Sequence, residues 1–165
     1  MTTISGATGS RQVYYHDESA PLATVVTPSV FVAVREEGGR LLLVRRCDTG
    51  AWELPGGRVD VGETAVQAAE REAAEEAGVH VLVTGLVGIF TDPGHVIRSA
   101  TGEVRQPFAL VFHARAVGGD PRGDLHETSE AAWVAVADLA HLHIEPPGRL
   151  WITAALALQS EPQIM

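Results

Sequence analysis

Apolar residues crowd together between residues 24 and 34 and again between 41 and 45, with the polar, glycine-bearing stretch 36–39 between them. Both runs are rich in Val, Leu and Phe, which suit a pleated and half-buried surface, so the pattern predicts two strands joined as a hairpin. From residue 65 to 77 the period changes: Val66, Ala69, Ala73 and Ala77 recur at steps of three and four, as on one face of a helix. Alternation returns at residues 80–91, and short or long strands are predicted at 95–98, 104–117 and 131–136. Pro107, inside the longest of these, predicts an edge strand or a bulge, because proline has no N–H to give to a ladder. Turns are expected at 92–94 and 100–103, a loop at 118–124 and a helical turn at 137–140. A last helix is expected over 148–158, with Leu150, Ala154, Ala155 and Leu158 on one face.

The helix at 65–77 carries the strongest local signals in the chain. Thr64 suits the N-cap, Gln67 can close a capping box with it, and Gly78 suits a left-handed residue at the helix end. Glu72, Glu75 and Glu76 fall at i, i+3 and i+4, which predicts a carboxylate patch on a face other than the apolar one. Like charges at that spacing destabilise a helix unless something neutralises them. A hard divalent cation that prefers oxygen ligands would do so, whereas a solvated acidic face is the ordinary alternative.

The surrounding spacing decides between these. Gly57, Glu63, Arg71, Glu72, Glu75, Glu76 and Gly78 follow the pattern G-x5-E-x7-R-E-U-x-E-E-x-G-U, where U is apolar; Val79 fills the last place and Ala73 is a small residue where a larger aliphatic is usual. This resembles the Nudix box, and a chance match has a probability of about 10⁻⁸ per starting position. The lead-in Trp52-Glu53-Leu54-Pro55-Gly56 resembles the family as well. The resemblance implies an α/β fold, a Nudix-type α/β/α sandwich around a mixed sheet. Residues 24–160 would form the Nudix hydrolase domain, with 1–23 an N-terminal tail and lead-in and 161–165 a C-terminal tail.

What the family does follows as expectation. Its members cleave a diphosphate linked to a nucleoside by water attack on phosphorus, with Mg²⁺, for which Mn²⁺ can substitute. Carried over place by place, the resemblance makes Glu72, Glu75, Glu76 and the carbonyl of Gly56 metal ligands. It makes Glu72 and Glu76 catalytic, with Glu72 a candidate base, and Glu63 with Arg71 a brace between loop and helix. A further acid outside the box is common, and Glu127 is preferred to Glu130 because it stands farther from the last strand and so on a loop. Arg45, Arg46 and Arg58 are candidates for substrate phosphate, given the guanidinium's planar fork, and Trp52 for stacking on a base, with surface solvation and plain packing as the alternatives.

Composition narrows the partners. The chain has 165 residues and a net charge of −9, which disfavours nucleic acid polymers and anionic membranes and leaves a small nucleotide as the expected substrate. Cys47 is the only cysteine, so a reducing cytoplasm is expected, and no stretch reads as a membrane span or a signal peptide. The cluster Tyr14-Tyr15-His16 reads as a flap over the core or a homodimer contact, or as a wall for a base. Residues 1–11 read as a mobile tail, and the seven histidines show no metal-ligand spacing. Pro93 lies near where ADP-ribose-cleaving members carry a proline, but D-P-G is also an ordinary turn, so ADP-ribose, a nucleotide sugar and a nucleoside triphosphate all stay open. A nucleotide-sensing domain without turnover is the alternative; the complete set of box carboxylates argues against it.

Overall fold

The computed structural model describes residues 10–165. Ten strands form one curled sheet: β1 (Gln12–Tyr15), β2 (Val25–Arg35), β3 (Leu41–Arg46), β4 (Trp52–Glu53), β5 (Gly56–Arg58), β6 (Val79–Phe90), β7 (His95–Arg98), β8 (Val104–Gly119), β9 (Thr128–Val134) and β10 (Gln163–Ile164). Two helices cover it, α1 (Ala65–Ala77) and α2 (Pro146–Leu156), and a short 3₁₀ helix spans Val136–His141. The sheet is mixed: β2 runs parallel to β8 along its whole length and β10 parallel to β6, whereas the other ladders are antiparallel.

Alternation along the two central strands explains the layers. Phe31, Ala33, Leu41 and Leu43 point into one core with Trp151 and Ile152 of α2. Their neighbours Val30, Val32, Val34, Leu42 and Val44 point into a second core with Ala68, Ala69, Ala73 and Ala77 of α1. The sheet is therefore buried on both faces, and a near-continuous apolar run is what such strands require. The small side chains of α1 let that helix lie close against it.

α1 begins and ends as its sequence predicts. Gln67 N–H donates to Thr64 Oγ1 at 3.1 Å and Thr64 N–H to Gln67 Oε1 at 2.9 Å, which closes the capping box. Gly78 takes φ +70°, the left-handed value that ends helices, and its N–H donates to Ala74 O. The buried face differs from the expectation: Ala68 takes the place expected of Val66, which is exposed.

Other expectations need correction. β8 is no edge strand, because β2 flanks it on one side and β7 and β6 on the other. Pro107 is tolerated because it falls where the flanking strand changes: β7 pairs residues 104 and 105, β6 pairs from 109 onward, and 106–108 have no ladder partner on that side. The second helix stops at Leu156, since Ala157 is extended and starts the chain's return to the β6 edge. Leu158 is consequently exposed rather than buried. β9 starts at Thr128, earlier than its sequence suggests, which puts Glu130 inside the strand. Segments read as tails add strands, β1 on β7 and β10 on β6. Most of the expected mobile tail, residues 1–9, lies outside the described residues.

Candidate functional site

A pocket of about 410 Å³ opens where α1, β5, the end of β3 and the β7–β8 hairpin meet. Its acidic wall holds Glu72 and Glu76 of α1 and Glu127 from the loop before β9. The carboxylates of α1 do not share one solvated face. Glu72 is 9% exposed and Glu76 3%, because a 3.6-residue period sets them beside Ala69, Ala73 and Ala77 and the short strand β5 passes over them. Glu75 turns away; its side chain is 60% exposed and accepts from Arg71 Nη1 at 3.1 Å.

β5 is held against these acids by direct contact. Gly56 N–H donates to Glu76 Oε2 at 3.0 Å. A Cβ on Gly57 would lie 2.4 Å from Glu72 Oε1 and displace that carboxylate, and one on Gly56 would lie 2.2 Å from the Val30 carbonyl, where the backbone cannot give way. Arg71 links the whole loop. Its Nε and Nη2 bond both oxygens of Glu63 at 3.0 and 2.7 Å, its Nη1 reaches Glu72 at 3.0 Å, and its Nη2 reaches the carbonyl of Arg58 at 3.1 Å. Glu63 in turn accepts the Asp60 N–H, and these donors hold its carboxyl down at about 2.

Burial works the other way on the inner pair. It pushes the Glu72 carboxyl up; Arg71 opposes this and the charges of Glu75 and Glu127 add to it. Glu76 is pushed well above the ordinary carboxylate range, first by burial and then by Glu53, Glu72 and Glu127, against the single donor Gly56. Both are carboxyls removed from water: Glu76 has no cationic partner among the described residues, and Glu72 shares Arg71 with Glu63 and Glu75.

The loop carrying Glu127 is ordered by residues that the sequence reading passed over. Asp124 Oδ1 accepts from the N–H groups of His126, Glu127 and Thr128 at 2.8–2.9 Å. Thr128 Oγ1 donates to the carbonyl of Glu76 at 2.6 Å and ties the loop to α1. Short-range Asp-to-backbone capping was the available signal. The Glu127 carboxylate itself makes no hydrogen bond among the described residues and faces the pocket.

The arginines divide. Arg45 is outside the pocket, paired with Glu130 at 3.1 Å and with the Gly50 carbonyl. Arg46 lines the pocket, but its fork is committed to Asp48 at 2.8 and 2.9 Å and to Glu53 at 3.1 Å. Arg58 lines it also and donates to Glu103. Arg11 on the strand β1 side and Arg105 on β8, neither singled out by sequence, complete the basic wall. Trp52 is not in this pocket; it packs on the α2 core and lines a narrow adjoining slot with His95 and Trp151. Tyr15 and His16 stitch β1 to the 92–94 turn, with His16 Nε2 2.6 Å from Asp92 Oδ2 and Tyr15 edge-on to His95.

Known proteins resemble this chain in both sequence and shape. A family model described as the NUDIX domain matches residues 25–155. A MutT-like protein of Streptomyces ambofaciens is 36% identical over 116 residues, 70% of this chain and 66% of that protein. An ADP-ribose pyrophosphatase of Methanocaldococcus jannaschii is 33% identical over 102 residues, 56% of this chain and 54% of that protein. The chain thus spans at most about two thirds of the length of these curated relatives. The crystal structure of a MutT NUDIX hydrolase from Burkholderia pseudomallei superposes with a TM-score of 0.62 at 28% identity, covering 78% of this chain and 97% of that one.

Proposed function

The chain belongs to the Nudix family, whose domain takes up residues 25–155, and on that premise we propose that it hydrolyses a diphosphate linkage in a small nucleotide with the help of a divalent cation. The observation carrying this reading is the pair of buried carboxyls, Glu72 and Glu76, which have the single guanidinium of Arg71, on Glu72, between them and face Glu127 in one pocket with a basic wall.

The donor set fits a hard cation. Oxygen atoms alone line the acidic wall, and neutralisation there would offset the desolvation of Glu72 and Glu76. Among the described residues no group of three His, Cys, Asp or Glu side chains is already arranged to hold an ion. Mg²⁺, or Mn²⁺ in its place, usually binds through one or two carboxylates together with substrate phosphates, and Glu72 and Glu76 offer such a pair. Glu72, Glu76 and the Gly56 carbonyl would hold it. Glu75 would join only by giving up Arg71. When bound, the cation neutralises phosphoryl oxygens and acidifies a water.

The chain's own groups do the rest. Arg71 keeps Glu72 turned to the pocket, and the Gly56 N–H does the same for Glu76. Glu127, on its pinned loop and free of hydrogen bonds, accepts the proton of the attacking water; Glu72, shared with Arg71, is the second candidate. The basic wall draws the nucleotide's phosphates across from the acids.

The test is a panel of ADP-ribose, nucleotide sugars and nucleoside triphosphates with Mg²⁺ or Mn²⁺, products resolved by chromatography. One substrate class is expected to be cleaved between its phosphates, and Glu76→Gln to lower turnover about a hundredfold or more, the scale that ångström misplacement of reacting groups costs. Near wild-type turnover by Glu76→Gln would remove the assignment. Nucleotide binding without cleavage would replace hydrolysis by sensing.

A further inference from the structure

The basic wall holds one cation that makes no hydrogen bond among the described residues. Arg105 leaves β8 next to Pro107, at the point where β7 gives way to β6 beside it. Its side chain is only 14% exposed, yet it donates no hydrogen bond among the described residues, and its nearest carboxylate, Glu103, is 3.8 Å away and already bonded to Arg58. Arg11 stands nearby with one nitrogen on Glu53 at 2.9 Å and with Nε buried and unpartnered. Glu53 is shared, since its other oxygen accepts from Arg46. On this wall, among the described residues, Arg11, Arg46, Arg58 and Arg105 pair with Asp48, Glu53 and Glu103 alone. Burial lowers the Arg105 guanidinium to about 10, and the neighbouring charges of Arg58 and Arg11 add to the effect. It is still charged at neutral pH.

A largely buried guanidinium whose one nearby carboxylate is 3.8 Å away and already bonded to another arginine is poorly compensated for the water it has lost. Its five N–H donors form a planar fork that matches phosphate oxygens. The acidic wall opposite repels phosphate wherever no cation intervenes. A ligand that satisfies both walls therefore has one anionic part beside Glu72 and Glu76, under a bound cation, and a second anionic part on Arg105.

We infer that Arg105 and Arg11 form a phosphate-holding station that seats a phosphate of the substrate outside the diphosphate held at the acidic wall. The substrate is then a nucleotide with three consecutive phosphates, rather than one whose diphosphate leads only to a sugar. This deepens the hydrolase reading and rests on it for the kinetic arm below; the binding arm does not need turnover. It also makes β1, which carries the chain away from Arg11 and pairs with β7, a part of the site and not only an addition to the sheet.

The first arm is calorimetric titration of the full chain, in EDTA, with sodium tripolyphosphate. Wild type is expected to bind, more weakly as salt rises. Arg105→Gln is expected to weaken binding about tenfold or more, the loss of charged hydrogen bonds. Arg35→Gln, at an arginine that bonds only the Gly39 carbonyl, is the control and should bind as wild type. Arg105→Lys keeps the charge but not the fork, so it should fall between. The melting temperature of each variant shows that it is folded under the titration conditions, so that a loss of binding is read on folded protein. Absence of wild-type binding, or unchanged binding by folded Arg105→Gln, each overturns the station. The second arm compares KM for a nucleoside triphosphate and for ADP-ribose. Arg105→Gln should raise both, since Arg105 stands on the basic wall, but the first by about tenfold and several times more than the second; an equal rise in both overturns the three-phosphate assignment. A chain that binds tripolyphosphate through Arg105 but cleaves nothing keeps the station and loses the hydrolase.

Discussion

Single side chains here are set by what surrounds them more than by their type. Glu72, Glu75 and Glu76 are the same residue within one helical turn, yet two are buried and raised while the third lies in solvent on Arg71. His95 makes the same point away from the acids. It is 7% exposed, between Tyr15 and Trp151, and burial pulls it from 6.5 to about 4, with Arg11 adding and Asp92 opposing. The unfolded chain binds this proton near 6.5 and the folded chain does not, so its contribution is complete above 6.5 and is lost as pH falls toward 4. The shift is worth on the order of 3 kcal/mol across that window. His95→Phe, which keeps an aromatic ring in the slot, should therefore flatten the fall in melting temperature between neutral pH and pH 4. Parallel slopes for wild type and variant would show that His95 is not held neutral.

At the scale of elements, α1 was legible from local rules because its signals are local. Its N-cap, capping box, left-handed glycine and apolar period all lie within 15 residues, and each appears in the structure except that Ala68 replaces Val66 on the apolar face. Thr64→Ala should lower stability by about 1 kcal/mol, read as a shift of the urea midpoint with unchanged slope. No shift would mean that the box is not formed in solution. The brace of Glu63 and Arg71 was implied by the family pattern and is present as a two-bond pair. Short elements were not legible. β4, β5 and β10 have two or three residues each, too few to show any alternation, and their pairing partners are elsewhere in the chain. The missed β5 matters most, since it is the strand that covers Glu72 and Glu76.

On the scale of the molecule, two cores share one sheet. Leu42 and Leu43 are consecutive, both fully buried, and belong to opposite cores. Neither face can open without exposing strands that the other face also uses. Leu42→Ala and Leu43→Ala should each cost about 2–5 kcal/mol and leave a single unfolding transition. Tryptophan fluorescence follows that transition in both cores, through Trp52 and Trp151 on the α2 side and Trp133 on the α1 side, and circular dichroism follows the whole sheet. Transitions that separate in either variant would show that the two layers unfold independently.

By itself the sequence determined the box helix, the main strands, the family and the identity of the box acids, because all of these are written in contiguous spacing. Tertiary structure alone decided which acids are buried, that Arg45 and Trp52 lie off the pocket while Arg46 is already bonded, and that Glu127 faces Glu72 and Glu76. It alone brought Arg11 and Arg105 together through the β1–β7–β8 ladders. The physical reason is range: capping and periodicity act across a few residues, whereas desolvation and unpaired charge depend on strands that approach from distant parts of the chain.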